Sequence, residues 1–572
     1  MSHRRLPGFI LPLLLIAAPA AGQRTVPERS NGARTSSHAE VLAFIDSLTR
    51  HGAKLHLGTL GQSPQGKRLP FVVLSHPLVT TPVAARRSGK PVLYIQANIH
   101  AGEVEGKEAV QQLMRELTLG MLTPLLDSVV LIFVPIYNAD GNDAFGPQER
   151  NRSEQRGPAL VGLRPNGQGY DLNRDYVKQD APETRASLAL ITAWNPDLFM
   201  DLHTTDGSYH GYALTWSPGL NANRTPSNGW VQDTVLEQVR KRMREHYKLE
   251  TYSYGNFRGG NANPTGWDSY ESLPRYGTNL NGMTRFSILS EAMSHDDFPK
   301  RIEATYAFVL ETIRYFAEHN VAMRRHRALT AAWRPDSVIV RGNVLASSPS
   351  RMDSVLVAIT RTEQLPAPDS AAMANAPRPP VIAEPVGCIA TSNAAPAGPP
   401  RGVARPAAAG PRNEVFLTGE SRPVWMEVHD RFGAVRKEAM PAAYLVDAAD
   451  GKVVELLRRQ GVMVERLQQP WVGPMEHFLV DTVIRTARPN EGHCGVRVEG
   501  HWTATAADSA HARSFLIPTN QRFGLLAAFL LEPSSEDGYT TWNFFDRSLR
   551  AHAPHPVRRV RVLPASLRTA SP

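Results

Sequence analysis

Residues 91–119 read PVLYIQANIHAGEVEGKEAVQQLMRELTL and contain the pattern that decides the fold. Pro91 to Asn98 is an apolar run with the length of a buried strand, and Val104 to Leu119 has apolar residues at helical spacing. A short turn joins the two segments. A strand, a tight turn and a helix in this order predict one unit of an α/β fold, in which side chains of the turn lie at the edge of a sheet.

The same alternation continues to about residue 320. Its later segments are strands at 128–136, 197–202 and 285–290 and helices at 182–194, 230–246 and 301–316. Residues 38–320 are therefore predicted to form an α/β domain with a mixed, mostly parallel central sheet flanked by helices.

The second half of the chain has a different composition. Residues 366–411 are rich in alanine and proline and predict a linker or long loop, because such a stretch buries too little apolar surface to order itself. Residues 413–550 predict a smaller α+β unit of unknown role. Its segments are a β-α-β piece at 443–446, 452–460 and 462–467, with further core at 514–517 and 525–531.

Residues 1–22 have the layout of a signal peptide. Arg4 and Arg5 precede an apolar run from Phe9 to Ala18, and small residues follow before Gln23. An uncleaved anchor is the alternative, but the run is shorter than the roughly 20 residues that span a bilayer. The sequence thus predicts export to a periplasm or the exterior, without stable membrane insertion of the mature chain.

Charge and cysteine content limit the partners. The net charge of +9 arises from 63 basic and 54 acidic residues spread along the chain, which argues against nucleic acid as a partner. Cys388 and Cys494 can form one disulfide in an exported protein, but the sequence leaves their pairing open. It also leaves the oligomeric state open.

Three residues have the chemistry of a zinc site. His100 and Glu103 lie three positions apart in the turn after the strand at 91–98, and His203 ends the strand-like run at 197–202. Imidazole and carboxylate are zinc ligands, and a catalytic site uses three of them and leaves one position open. Taken singly, each residue has a structural alternative, such as a hydrogen-bonded histidine at a strand end.

Two further elements lie at predicted strand or loop ends. Glu291 directly follows an apolar strand, where a carboxylate needs a partner or a task; a salt bridge with an arginine is the alternative. Asn173 and Arg174 stand side by side, and the arginine fork matches a carboxylate. An ion pair of Arg174 with Asp171 or Asp175 is the structural alternative.

Together these segments resemble the zinc metallocarboxypeptidases of the carboxypeptidase A type over about residues 38–320. The resemblance rests on the His-x-x-Glu of His100 and Glu103, the Tyr-Asn-Ala-Asp-Gly run at Tyr137 to Gly141 where the family usually has Asn-Pro-Asp-Gly, the Asn173-Arg174 pair, His203 and Glu291.

The resemblance implies one Zn²⁺ ion held by His100, Glu103 and His203. A zinc-bound water would be the nucleophile, and Glu291 would act as general acid and base in hydrolysis of a peptide bond. The substrate would be a peptide or a peptide-like molecule.

The resemblance also implies residues that contact the substrate. Asn173 and Arg174 would bind the terminal carboxylate. An arginine upstream of this pair would stabilise the oxyanion, with Arg152 as the best candidate and Arg150 and Arg156 as rivals.

The family further uses a tyrosine that covers the substrate. Tyr270 and Tyr276 both qualify by position. In the region of the side-chain pocket only Asp268 is a charged marker, and it could equally be a surface turn residue, so the side-chain preference stays open.

Three functions are compatible with these residues. The leading interpretation is an exported zinc carboxypeptidase. The same residues would also suit a zinc-dependent deacylase or amidase acting on acyl amino acids or cell-wall peptides. A third possibility is an inactive binding protein on a peptidase fold.

Overall fold

The computed structural model describes residues 23–344, 350–382, 385–388 and 411–563. The signal peptide predicted at residues 1–22 lies outside the described residues. Residues 383–384 and 389–410 of the alanine- and proline-rich stretch lie outside them as well.

Residues 23–320 contain a strand-and-helix alternation. Its strands are β1 (His56–Gln62), β2 (Arg68–Leu74), β3 (Val92–Ala97), β4 (Val130–Val134), β5 (Gly146–Pro147), β6 (Leu160–Val161), β7 (Leu198–Thr204), β8 (Leu214–Pro218), β9 (Thr251–Ser253), β10 (Asn256–Arg258), β11 (Gly266–Asp268) and β12 (Phe286–Ala292). Its helices are α1 (Val26–Arg29), α2 (His38–Arg50), α3 (Pro82–Arg87), α4 (Glu105–Leu119), α5 (Ala139–Asp143), α6 (Gln148–Asn151), α7 (Pro182–Trp194), α8 (Pro226–Trp230), α9 (Leu236–Arg242), α10 (Gly277–Gly282) and α11 (Phe298–Glu318).

Eight of these strands form the central sheet, in the order β1-β2-β4-β3-β7-β12-β8-β9. The pairs β3/β4, β3/β7, β7/β12 and β8/β9 are parallel, and the pairs β1/β2, β2/β4 and β8/β12 are antiparallel. Every residue of β3, β4, β7 and β12 is buried, because helices cover both faces of the sheet. The predicted mixed, mostly parallel sheet is confirmed.

Two apolar layers cover the sheet. Helices α2, α4, α9 and α11 pack on one face, where Leu113 and Phe308 belong to the same core. The other face carries α3 and α7, and the core there continues from Leu188 into Leu457 and Phe529 of the C-terminal half. The two halves of the chain therefore share one buried apolar layer.

The second half is built mainly of strands. They are β13 (Ser337–Asn343), β14 (Arg351–Leu365), β15 (Arg412–His429), β16 (Gly433–Ala439), β17 (Ala443–Val446), β18 (Glu465–Arg466), β19 (Trp471–Arg485), β20 (Val496–Ala510), β21 (Phe515–Pro518) and β22 (Pro554–Val560). The helices are α12 (Asn320–Ala332), α13 (Ser370–Asn375), α14 (Gly451–Arg459) and α15 (Gly524–Leu531).

The C-terminal sheet has the order β18-β21-β17-β22-β19-β20. Strands β17 and β18 are each antiparallel to β21, so they run parallel to each other across it. The β-α-β piece expected from the sequence therefore holds a third strand between its two strands. A separate four-stranded sheet, β10-β11-β15-β14, joins the two halves of the chain.

Cys388 and Cys494 form a disulfide, which answers the question that the sequence left open. Within the stretch predicted as a linker, residues 370–375 form α13. Among the described residues, no helix has the length and apolar character needed to cross a membrane.

Glu183, in the first turn of α7, provides a pH-dependent stability prediction. The side chain is fully buried; Oε2 accepts from Asn166 Nδ2 at 3.0 Å, and Oε1 has no partner among the described residues. Burial raises the pKa of Glu183 from 4.5 to about 7. The folded state therefore binds this proton more tightly than the unfolded chain, and the free energy of unfolding falls as the pH rises from about 4.5 through 7.

We therefore expect Glu183→Gln to raise the free energy of unfolding by about 3 kcal/mol at pH 8 and to change it little at pH 4, since one pKa unit corresponds to 1.36 kcal/mol. Urea unfolding of both proteins at the two pH values measures the difference. An equal effect of the substitution at pH 4 and pH 8 would contradict this account of Glu183.

Candidate active site

The predicted metal ligands and Glu291 lie where three adjacent parallel strands, β3, β7 and β12, end. His100 and Glu103 follow β3 in the turn before α4, and the chain enters that turn through Asn98, whose φ is 65°. His203 lies near the end of β7, and Glu291 stands directly opposite it in β12. The parallel register of the sheet thus brings together residues that are far apart in sequence.

His100, Glu103 and His203 form a compact group of buried metal-ligand side chains. His100 Nδ1 lies 2.9 Å from Glu103 Oε1, and His203 Nδ1 lies 3.0 Å from Glu103 Oε2. One donor atom of each residue lies within 4.8 Å of the other two. Two imidazoles and one carboxylate are a donor set that suits zinc in a catalytic site.

A carboxylate oxygen lies close to the other ring nitrogen of each imidazole. His100 Nε2 lies 3.0 Å from Asp171 Oδ1, and His203 Nε2 lies 3.1 Å from Asp201 Oδ2. In metal sites, carboxylates in this position fix the ring orientation and raise the basicity of the ligand nitrogen. Both Nδ1 atoms therefore face the Glu103 carboxylate, as a shared metal ion between them would require.

The electrostatics of the group favour positive charge. Burial alone would lower the pKa of His203, but the carboxylates of Asp201 and Glu103 outweigh it and raise that pKa well above its ordinary value. Burial opposes ionisation of Glu103 too, yet His100 and Arg152 hold its pKa well below the usual range. A cation is thus the natural occupant of the space between these side chains.

Arg152 contacts one metal ligand and the backbone that follows another. Its Nη1 donates to Glu103 Oε1 at 3.1 Å, and its Nη2 donates to the carbonyl oxygens of Thr204 and Thr205. The side chain is 5% exposed and is not among the residues that line the cavity.

A different arginine, Arg164, lines the cavity. Its Nε donates to Asp171 Oδ2 at 2.9 Å, and its Nη1 lies 3.5 Å from Glu103 Oε1. The two rivals of Arg152 point elsewhere, since Arg150 donates to carbonyls next to α13 and Arg156 forms an ion pair with Asp297. Arg164 is not among the arginines predicted from the sequence, and its one local signal is its place shortly before the Asn173-Arg174 segment.

Glu291 is a buried carboxyl group, 7% exposed, beside the metal-ligand group. Burial raises its pKa to about 8; the Glu103 and Asp206 carboxylates act in the same direction, and His203 opposes them. A carboxyl group with this environment can both take and give a proton near neutral pH.

One cavity contains most of the predicted site. It is lined by His100, Glu103, His203, Glu291, Asn173, Arg174, Tyr270 and Tyr276, together with Arg164, Asp206, Leu220, Tyr254, Glu271, Thr278, Asn279 and Leu289 among others. Of the predicted site residues, Arg152 alone is absent from this lining.

Asn173 and Arg174 are held in place by neighbouring elements. Asn173 Oδ1 accepts from the backbone N–H of Gly277 at 3.0 Å, which directs the amide nitrogen away from that contact. The guanidinium of Arg174 lies 4.2 Å from the centre of the Tyr276 ring, and its Nη1 lies 3.9 Å from Asp171 Oδ2. The guanidinium is thus oriented by an aromatic face and a carboxylate.

The two candidate tyrosines differ in exposure. Tyr276 is 6% exposed, and its hydroxyl donates to Glu271 Oε2 at 2.8 Å. Tyr270 is 38% exposed, and its ring packs edge-on against Tyr276 at 5.8 Å. The buried Tyr276 ring therefore packs against the guanidinium of Arg174, whereas the more exposed Tyr270 ring is accessible to a ligand.

Asp268 is a structural residue. Its carboxylate accepts from Arg258 and lies 2.9 Å from His429 Nδ1, which ties β10 and β11 to β15. It does not line the cavity. The lining near Asn279 includes Leu220, whose backbone N–H donates to Asn279 Oδ1, and Glu271, whose backbone carbonyl accepts from Asn279 Nδ2.

Residues 41–288 match the model of a family described as zinc carboxypeptidase. Carboxypeptidase 2 of Trichophyton rubrum is 21% identical over 95% of this chain and 88% of its own length, and carboxypeptidase 2 of Trichophyton tonsurans is 21% identical over 84% and 78%.

Solved structures are similar over half of the chain. Carboxypeptidase A from Helicoverpa armigera is 16% identical with a TM-score of 0.38, covering 50% of this chain and 74% of that one. A metallo-carboxypeptidase from Burkholderia cenocepacia is 18% identical with a TM-score of 0.37, covering 49% and 71%. Residues 41–288 thus form a domain of the zinc carboxypeptidase type, and the chain is a metallocarboxypeptidase-type hydrolase.

Proposed function

We propose that this chain removes C-terminal residues from peptides by hydrolysis at one zinc ion held by His100, Glu103 and His203. The observation that carries the proposal is the convergence of these three donors within 4.8 Å, with Glu291 beside them in the sheet. A zinc ion held by these residues would lower the pKa of a bound water and polarise the scissile carbonyl.

Glu291 is assigned the proton transfers. Its carboxylate takes a proton from the attacking water and passes it to the nitrogen of the leaving amine. Its place opposite His203 supports this role, and burial keeps its pKa near the range in which both transfers are possible.

Asn173 and Arg174 are assigned to the substrate carboxylate. A guanidinium binds a carboxylate through two parallel hydrogen bonds, and the Tyr276 ring holds this guanidinium in the cavity wall. Tyr270, on the exposed side of the same wall, is assigned to cover the bound substrate. Leu220, Thr278 and Leu289 are the uncharged lining residues that we assign to contact with the terminal side chain.

We assign the oxyanion to Arg164 rather than to Arg152. Arg164 lines the cavity, and its fork is oriented by Asp171. The guanidinium of Arg152 instead donates to Glu103 and to two backbone carbonyls. A donor in a cavity wall can meet charge that develops on the substrate, whereas Arg152 is better placed to stabilise the ionised form of Glu103.

Export is part of the proposal. The layout of residues 1–22 favours it, and the Cys388–Cys494 disulfide supports it because disulfides persist in oxidising compartments. We propose residues 38–320 as the catalytic domain and residues 413–550 as a unit that packs against it.

The test compares a peptide with its C-terminally amidated form, using the wild type and Arg174→Ala. We expect the wild type to release the terminal residue from the free acid only, and a zinc chelator to stop the reaction. Arg174→Ala is expected to raise KM for the free acid about 10- to 100-fold, since a hydrogen bond to a charged group contributes about 1.5–3 kcal/mol.

Arg174→Lys is the matched variant, since it keeps the charge and loses the fork. Its KM is expected between those of the wild type and Arg174→Ala. Equal cleavage of the acid and the amide, or release of acyl groups from acylated amino acids with no cleavage of peptides, would contradict the proposed function.

A further inference from the structure

A hairpin tip of the C-terminal unit, residues 490–493, reaches the catalytic domain. Asn490 and His493 exchange two backbone hydrogen bonds, of 2.8 and 3.0 Å, so the turn between them has two residues. Those residues, Glu491 and Gly492, both have positive φ, 49° and 78°. This is the pattern of a type I′ turn, which favours asparagine, aspartate or glycine at both positions.

Glutamate at residue 491 therefore contradicts the local preference of the turn. The side chain of glutamate does not stabilise a backbone with positive φ. A residue in such an unfavourable conformation persists where contacts with the surrounding structure hold it. In this chain the side chain has a specific partner outside its own unit, because Glu491 Oε2 accepts from the backbone N–H of Asp171 at 3.0 Å.

Asp171 is the residue that connects three parts of the candidate site. Its Oδ1 lies 3.0 Å from His100 Nε2 and accepts from the backbone N–H of Asn173 at 2.9 Å. Its Oδ2 accepts from Arg164 Nε at 2.9 Å. A shift of the backbone at Asp171 would thus disturb a metal ligand, the proposed oxyanion donor and the start of the carboxylate-binding pair together.

The tip is fastened on several sides. His493 Nε2 lies 2.9 Å from Asp180 Oδ2 of the catalytic domain, and Cys494, the next residue, is bonded to Cys388. Gly492 lies against Tyr170 and Ile382, where an added Cβ would come within 3.1 Å of the isoleucine. The tip is therefore a fixed support against residues 170–171.

We propose that Glu491, supplied by the C-terminal unit, is a positioning residue for the catalytic site: its carboxylate fixes the backbone of Asp171 and thereby the orientation of His100 and Arg164. This inference rests on the proposed function for its consequence in turnover, but its consequence for metal binding does not depend on any substrate. It also gives the C-terminal unit, for which the sequence offers no chemistry, a defined role.

The test compares Glu491→Asn with Glu491→Gln in the full mature chain. Asparagine suits the left-handed backbone of the turn but is one methylene too short to reach the N–H of Asp171. Glutamine keeps the length and the acceptor oxygen and removes only the charge. We expect Glu491→Asn to weaken Zn²⁺ affinity and to lower kcat/KM about 10-fold each, at the low end of the effects of outer-shell partners. We expect the zinc affinity and the kcat/KM of Glu491→Gln to stay within about 3-fold of the wild type, a smaller change than the loss of an outer-shell partner causes.

Zinc affinity is measured by competition with a chromophoric chelator, kcat/KM with the free-acid peptide, and folding by thermal unfolding. A thermal midpoint of Glu491→Asn at or above that of the wild type, with weaker zinc binding, would separate positioning from a merely structural role. Wild-type zinc affinity in Glu491→Asn, or equal losses in the two variants, would overturn the proposal. A wild type that binds zinc without cleaving peptides would overturn the proposed function alone, because the zinc measurement still reports on Glu491.

Discussion

Replacing Glu291 by glutamine is expected to lower kcat about 10²- to 10⁴-fold, the range that one general acid/base group contributes. The amide has the shape of the carboxyl group but can neither take a proton from water nor pass one to the leaving nitrogen. Glu291 is not one of the three donors of the metal-ligand group, so zinc content should remain close to that of the wild type. Steady-state rates and metal analysis of the same preparation measure both quantities.

Ser290→Ala is the matched control on the same strand. Ser290 is fully buried, and its Oγ has no hydrogen-bond partner among the described residues. We therefore expect Ser290→Ala to change kcat by no more than about 2-fold, which is far less than the loss of a general acid/base group causes. If Glu291→Gln kept at least half of the wild-type kcat, the assignment of the proton transfers to Glu291 would be wrong.

Replacing His203 by alanine is expected to abolish detectable turnover. The substitution removes one of the two imidazoles whose Nδ1 faces Glu103 and leaves the buried Asp201 without its neighbouring ring. Loss of a direct ligand should weaken zinc binding by more than the 10- to 100-fold that is typical of an outer-shell partner. Zinc titration with turnover measured at each step gives both results.

Asp201→Asn provides the graded comparison. Asp201 Oδ2 lies 3.1 Å from His203 Nε2, on the side of the ring away from Nδ1. We therefore expect Asp201→Asn to lower zinc affinity by about 10- to 100-fold, the range of an outer-shell partner. A larger loss of zinc affinity in Asp201→Asn than in His203→Ala would reverse the proposed order of direct and outer contacts.

The sequence predicts best those elements whose burial is complete. Strands β3, β7 and β12 appear as apolar runs because both of their faces are covered by helices. Helix α7 begins and ends at the predicted residues, since Pro182 suits the first helical position and Asn195 ends the helix in the left-handed conformation.

Strands with an exposed face do not appear as continuous apolar runs, so the sequence indicates them less clearly. Strand β1 contains two glycines and has no fully buried residue, so no long apolar run in the sequence marks it. The hairpin of β19 and β20 has fifteen residues in each strand, mostly partly or fully exposed. The predicted helix at 230–246 is part of a longer helical stretch that begins at Pro226 and contains two π-helical segments, which alter the spacing of its apolar residues.

In the candidate site, the sequence indicates the three metal ligands but not the residues that contact and orient them. His100, Glu103 and His203 carry a recognisable spacing and converge in the structure. The proposed roles of Arg164 and Glu491 depend on contacts with residues 61 and 320 positions away, which no local pattern encodes. Similarly, Tyr270 and Tyr276 fit the sequence equally well, and only their difference in burial distinguishes them.

The central claim is that His100, Glu103 and His203 together hold one catalytic zinc ion. X-ray absorption spectroscopy of the zinc-loaded mature protein tests this claim most directly. The account predicts one zinc per chain with nitrogen and oxygen ligands only, at roughly 2.0–2.2 Å, and two imidazoles that fall to one in His203→Ala. A sulfur ligand at about 2.3 Å, or a wild-type spectrum that the His203→Ala substitution leaves unchanged, would contradict it.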